Sequence, residues 1–152
     1  MSLRDVMDED SDDFAEHSLA YSRLGEADKH FASIMFTRAF RLLRLSLQWQ
    51  EIPTNNDNFG SFQLIGQHLD QLDLDRVELA FVFELILLSC SFGMSANGIA
   101  QIMEERQTTF GDMLEYLQKE HAHQSHEFQM QRFTYMEHLA AEIRRCSQFY
   151  EF

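Results

Sequence analysis

Residues 119–128 read KEHAHQSHEF, with three histidines and two glutamates in ten positions. Imidazole nitrogens and carboxylate oxygens are donors that divalent transition metals accept. On a continuous helix Glu120, His123 and Glu127 stand at i, i+3 and i+7 and share one face, with His126 beside them and His121 turned away. Glu-x-x-His is also the pair that di-iron bundles project inward from two of their helices. Those bundles need a second such pair and two further glutamates. Here the pair occurs once, and only Glu26 and His30, at i and i+4, offer a contribution from another helix. The metal reading is therefore a single divalent transition-metal site on His123, Glu127, Glu120 and His30. The plainer reading is a solvated polar face or helix junction, and composition favours it. A third is a pH-sensitive contact, because clustered histidines titrate near neutrality.

Glu84 stands inside an otherwise apolar stretch, 79–92. A buried carboxylate needs a partner or a proton. Arg38, Arg41 and Arg44, spaced i, i+3, i+6 on one side of a helix, are the obvious source of a partner. The hypothesis is a pair between Glu84 and one of them inside the bundle; a perturbed acid in a pocket is the functional reading, and a structural ion pair, or Glu84 on a narrow exposed strip, is the favoured one. The same row could instead take an anion or an acidic peptide. Residues 31–51 carry three arginines against one glutamate, whereas residues 1–30 carry nine acids against three bases. Packing of the acidic N-terminal tail on the row would be a simple autoinhibitory device; ordinary surface salt bridges are the favoured reading.

Arg132 and His138 make an Arg-x5-His spacing. This is similar to the Arg-x4-6-His motif that HEPN-type ribonucleases carry on a late helix of an all-helical bundle, often across a dimer. The resemblance covers two residues and implies RNA cleavage at that pair. Phe133 stands where the motif favours a polar residue. Residues 95–117, SANGIAQIMEERQTTFGDMLEYL, have the outline of a helix-turn-helix. Its second helix carries Asp112, Glu115 and Glu120 against Lys119 alone, the wrong charge for a major groove, so a helical hairpin of the core is expected instead. Asp70, Asp73 and Asp75 lack the glycine turn and distal glutamate of a calcium loop and read as helix-start acids.

The elements that hold these residues follow from composition and period. The chain has 152 residues, 45% hydrophobic, with one proline and six glycines. Few breakers and long periodic apolar runs indicate one all-α domain, a bundle of five to seven helices with a central apolar helix near 75–92 and a long C-terminal helix. Residues 1–13 are too acidic to bury themselves and are expected as a flexible tail, with 14–152 as the helical domain. Helices are predicted over about 14–24, 27–50, 62–72 capped by Ser61, to about 92 capped by Asp73 or Asp75, to about 105 capped by Ser95, one beginning near 110 capped by Thr108 or Thr109, and a long last helix from about 113 through the histidines to 149, with a kink allowed at 122–125. Met136, Leu139, Ile143, Cys146 and Tyr150 form a narrow 3-4-3-4 seam. Such a seam serves either a homodimer or packing within the chain.

Twelve basic residues against 25 acidic give a net charge of −13. That excludes general nucleic-acid binding and disfavours anionic membranes. The longest apolar stretch is too short to span a bilayer. Cys90 and Cys146 lie far apart on apolar faces and are expected reduced and buried, as in a cytoplasmic protein. No phosphate-binding loop, nucleophile elbow or CxxC pair occurs. Together these observations favour a non-enzymatic regulatory or adaptor protein that binds another protein, plausibly a basic one, through an acidic surface and a methionine-aromatic patch. A metal-binding bundle at His123 and Glu127 comes second, and a HEPN-like nuclease third. No cofactor is expected outside the metal reading.

Overall fold

The computed structural model describes residues 19–89 and 93–148. The acidic tail 1–13, Cys90 and Tyr150 lie outside them. A four-residue helix, Leu19–Ser22, precedes five longer ones: α1 (Glu26–Leu47), α2 (Phe59–Leu72), α3 (Arg76–Leu87), α4 (Ala96–Glu120) and α5 (His126–Ser147). A short 3-10 turn, Trp49–Glu51, follows α1. Among the described residues there is no strand, and no helix is long and apolar enough to cross a membrane.

The central apolar helix is α3. Leu79, Val82, Phe83, Leu85, Ile86 and Leu87 are all fully buried, so only a narrow side of it, including half-buried Glu84, approaches water. Its start is fixed by a capping box. The Glu78 amide donates to Asp75 Oδ1 at 2.8 Å, and the Asp75 amide donates to Glu78 Oε1 at 3.1 Å. Two of the four amides orphaned at a helix start are thereby satisfied. Asp73 does not cap α3; it ends α2 in the left-handed region, φ 46°.

α1 packs one face, Ala32, Phe36, Ala39, Phe40 and Leu43, into the core. Phe40 stacks on Phe83 of α3 with ring centroids 5.5 Å apart. α2 begins at Phe59 rather than after Ser61, and no side-chain cap marks its start. It approaches the end of α1 so closely that a Cβ on Gly66 would enter the Trp49 ring and the Ser46 carbonyl. At the far end of the bundle Asp28 accepts from the Ser95 amide at 2.9 Å and from its hydroxyl at 2.5 Å. These two bonds, the hydroxyl's first, hold the Asp28 carboxyl below its ordinary value. Ser95 Oγ in turn accepts from the Gly98 amide, capping α4. Gly98 is required there, because a Cβ would collide with the Asp28 carboxylate.

Two expectations for the second half are corrected. Residues 95–117 do not form a hairpin: α4 is one helix of 25 residues, running through Thr108, Thr109 and Gly111. Thr108 Oγ1 bonds back to the Glu104 carbonyl instead of capping, and Thr109 is buried in the helix face. Conversely, no helix runs through the histidine cluster. Residues 121–125 form a turn, and Ser125 caps α5 by accepting from the Phe128 amide at 3.1 Å.

The seam on α5 faces inward. Met136, Leu139, Ile143 and Cys146 are 0 to 5% exposed, so these four side chains pack within the chain. Cys146 is a free thiol, pushed up in pKa first by its burial.

Candidate functional site

The turn at 121–125 removes the face on which the metal reading depends. Glu120 ends α4, His123 sits in the turn, and Glu127 begins α5. All three are exposed, and so is His30 near the start of α1. Among the described residues no three histidine, cysteine, aspartate or glutamate side chains gather where they could hold a metal.

His121, the histidine that the helical projection turned away, is the one engaged. Its ring meets Phe128 edge-on at 5.5 Å, and its carbonyl accepts from Gln129 Nε2 at 2.8 Å. Its Nε2 is buried without a hydrogen-bond partner, 3.9 Å from Glu78 Oε2. Glu78 is the most deeply buried acid among the described residues, 1% exposed. Arg132 of α5 grips it through Nε and Nη2, the latter at 2.8 Å, and also reaches the Asp73 carbonyl. The Glu78 bond raises the Arg132 guanidinium above its ordinary value, against the opposing push of burial. Tyr116 closes the cluster by donating to Asp75 Oδ2 at 2.7 Å. Its phenol is pushed well above the ordinary tyrosine value by burial first, then by that acid. This is a structural lock joining the start of α3, the end of α4 and the start of α5.

Glu78 and Arg132 form a charge pair inside the bundle. Arg38, Arg41 and Arg44 are exposed on α1, and Glu84 is half-buried. Arg41 and Arg44 border an open groove of about 690 Å³ shared with Glu51 and the 52–58 loop. Nothing in the row is buried in the manner of Arg132. The Arg-x5-His pair is also parted. Six residues along a helix turn through about 600°, which sets the two side chains on different faces. Arg132 is committed to Glu78, while exposed His138 faces α2.

The face that His138 does share is a groove of about 870 Å³ between α2 and α5. Leu64, His68, Gln71 and Leu72 line it from α2; Tyr135, His138, Leu139 and Glu142 line it from α5, with Arg145 at one end. Leu64 and Tyr135 are 43% and 54% exposed, large apolar groups left in water on opposite walls. Charge at the rim is nearly neutralised. Arg145 donates to Glu142 at 2.5 and 3.1 Å and holds that carboxyl below its usual range, against its partial burial; charge on His68 across the groove acts in the same direction. The result is an apolar trough edged by His68, Gln71, His138, Glu142 and Arg145, with the Cys146 thiol donating to Glu142 at 3.6 Å.

Sequence reasoning missed this groove, although a signal was present. The buried stripe of α2 is Phe62, Ile65, Gly66 and Leu69. Leu64 is a large apolar residue off that stripe. On α5 a second 3-4-3 line, Tyr135, His138, Glu142 and Arg145, runs alongside the buried seam. That the two lines face one another is a tertiary fact.

No protein-family model, no curated protein and no solved structure matches this chain.

Proposed function

We propose that this chain is a non-enzymatic recognition module that receives an amphipathic, basic helix of a partner protein in the α2/α5 groove. The observation that carries the reading is that Leu64 on one wall and Tyr135 on the other leave large apolar surface in water along one trough of about 870 Å³. Its walls repeat at helical spacing over more than two turns of α2, which suits a helix laid lengthwise better than a compact ligand. Exposed tyrosine beside aliphatic surface is the composition of protein-binding hot spots. The net charge of −13 selects for a basic partner and speeds its approach. The buried acid–arginine pair is occupied in joining α3 to α5.

A helical peptide library displayed against the full chain tests the reading. Enriched peptides should carry apolar residues at i, i+3, i+4 and i+7 with lysine or arginine on the opposite face. Their affinity should fall about tenfold or more on Leu64→Glu and on Tyr135→Ala, the range of a hot-spot loss. Enriched peptides that bind the Leu64→Glu chain equally well would overturn it.

A further inference from the structure

A second, smaller concavity lies on the other side of α5, at the junction of α3, α4 and α5, with a volume of about 430 Å³. Its described lining contains three arginines, Arg106, Arg144 and Arg145, and no carboxylate. In a chain of net charge −13 that is an unusual concentration of positive charge. Arg145 is balanced by Glu142. Among the described residues Arg106 and Arg144 meet no carboxylate. Arg106 donates to the buried Ser89 hydroxyl at 2.7 Å and lies over the Phe110 ring at 5.1 Å, so its position is fixed by neutral groups that leave its charge intact. Ser89 is fixed in turn by donating to the Leu85 carbonyl at 2.6 Å. Arg144 Nε is buried and has no hydrogen-bond partner.

The position of Arg144 and Arg145 in the last turn of α5 suits the negative end of that helix. This explains why positive charge is tolerated there. It does not satisfy the Arg144 Nε–H, and a buried guanidinium donor without an acceptor is costly.

We propose that this pocket binds a phosphate monoester carried on an apolar body. Two guanidinium groups that meet no carboxylate among the described residues match the charge of about −1.5 to −2 on such a phosphate. A carboxylate would be satisfied by one guanidinium fork alone, whereas a phosphate offers enough acceptor oxygens for donors arriving from two helices. Arg106 comes from α4, and Arg144 and Arg145 from α5. The remaining wall is aliphatic, from Leu88, Ile99, Ile102 and Met103, with Met103 at 62% exposure forming the lip. The head of the ligand faces arginine and its body faces this wall.

The test is calorimetric titration of the full chain with phenyl phosphate at moderate salt, beside inorganic phosphate and benzoate. Saturable binding of one equivalent is expected, tighter than for inorganic phosphate or benzoate. Arg144→Gln and, independently, Arg106→Gln should each weaken it about tenfold or more, the loss of one charge-assisted contact. Arg38→Gln, on a different face, should leave it unchanged. The two pocket substitutions stand in for each other if one perturbs folding, which the helical circular dichroism signal reports. Absence of saturable binding, binding that survives both pocket substitutions, or sensitivity to Arg38→Gln overturns the site. Benzoate binding as tightly as phenyl phosphate overturns the phosphate head, and inorganic phosphate binding as tightly overturns the apolar body.

Discussion

Residues 106–111 and 121–125 carry the same kind of local message and obey it differently. Both hold a residue able to cap a helix, Thr108 or Thr109 in the first and Ser125 in the second. Only the second begins a helix. At 106–111 nothing outside α4 asks the chain to turn: the threonines either bond back within the helix or bury, and Gly111 has open space around it. At 121–125 the turn is held from several sides. Gln129 and Gln124 both reach the His121 carbonyl, Phe128 takes the His121 ring, and Arg132 fastens the start of α5 to Glu78. A cap residue permits a helix to start; a set of tertiary anchors decides whether one does.

The largest expected effect removes the deepest anchor. Glu78→Ala strands the Arg132 guanidinium and opens the α3 capping box, so unfolding in urea should show a loss of about 3–5 kcal/mol. A loss below about 1 kcal/mol would make the lock ornamental. Next comes Tyr116→Phe, which deletes one buried hydrogen bond and should cost about 1 kcal/mol near neutral pH. The same residue gives a pH signature. Its phenol is raised above the ordinary value in the folded state, so its contribution is complete below about pH 10 and is lost as pH rises beyond that. The wild-type chain should therefore lose stability above pH 10 more steeply than Tyr116→Phe, measured by denaturant midpoint across pH. Parallel curves would show that Asp75 does not hold the phenol proton.

Ser125→Ala should cost about 1 kcal/mol, the usual loss of a serine cap, with faster amide exchange confined to the first turn of α5. Thr108→Ala should change stability by less than about 0.5 kcal/mol, because its hydroxyl caps nothing. Gly111→Ala should stabilise by about 0.5–1 kcal/mol, since the site is mid-helix with space for a Cβ. Destabilisation by either of the last two would mean that the straight segment is under a constraint comparable to the bent one.

The central helix was legible because its apolar residues continue around its circumference and Asp75 and Glu78 spell a capping box three residues apart. The inward seam of α5 was legible as a seam, but its destination was not: a 3-4 apolar line is written identically for a partner helix of the same chain or of another. The histidine spacing puts Glu120, His123 and Glu127 on one face only along an unbroken helix, and the chain turns at 121–125. The pair of Glu78 with Arg132 was not read from the sequence, which pointed to Glu84 instead. Any acid in an apolar stretch asks for an arginine, and the one that arrives, Arg132, is brought to Glu78 by the packing of α5 on α3.

The sequence by itself determined the helical class, the absence of strand-forming alternation, most helix starts with an aspartate or serine cap, and which residues of α3 must leave water. These are local or periodic properties, set by hydrogen bonding within a few residues and by the hydrophobic effect along one helix. Tertiary structure alone decided where α4 ends, which carboxylate is buried, that Leu64 and Tyr135 face one groove, and that Arg106 and Arg144 converge. Each of those depends on side chains distant in the chain meeting at a few ångströms, where burial and charge pairing act together.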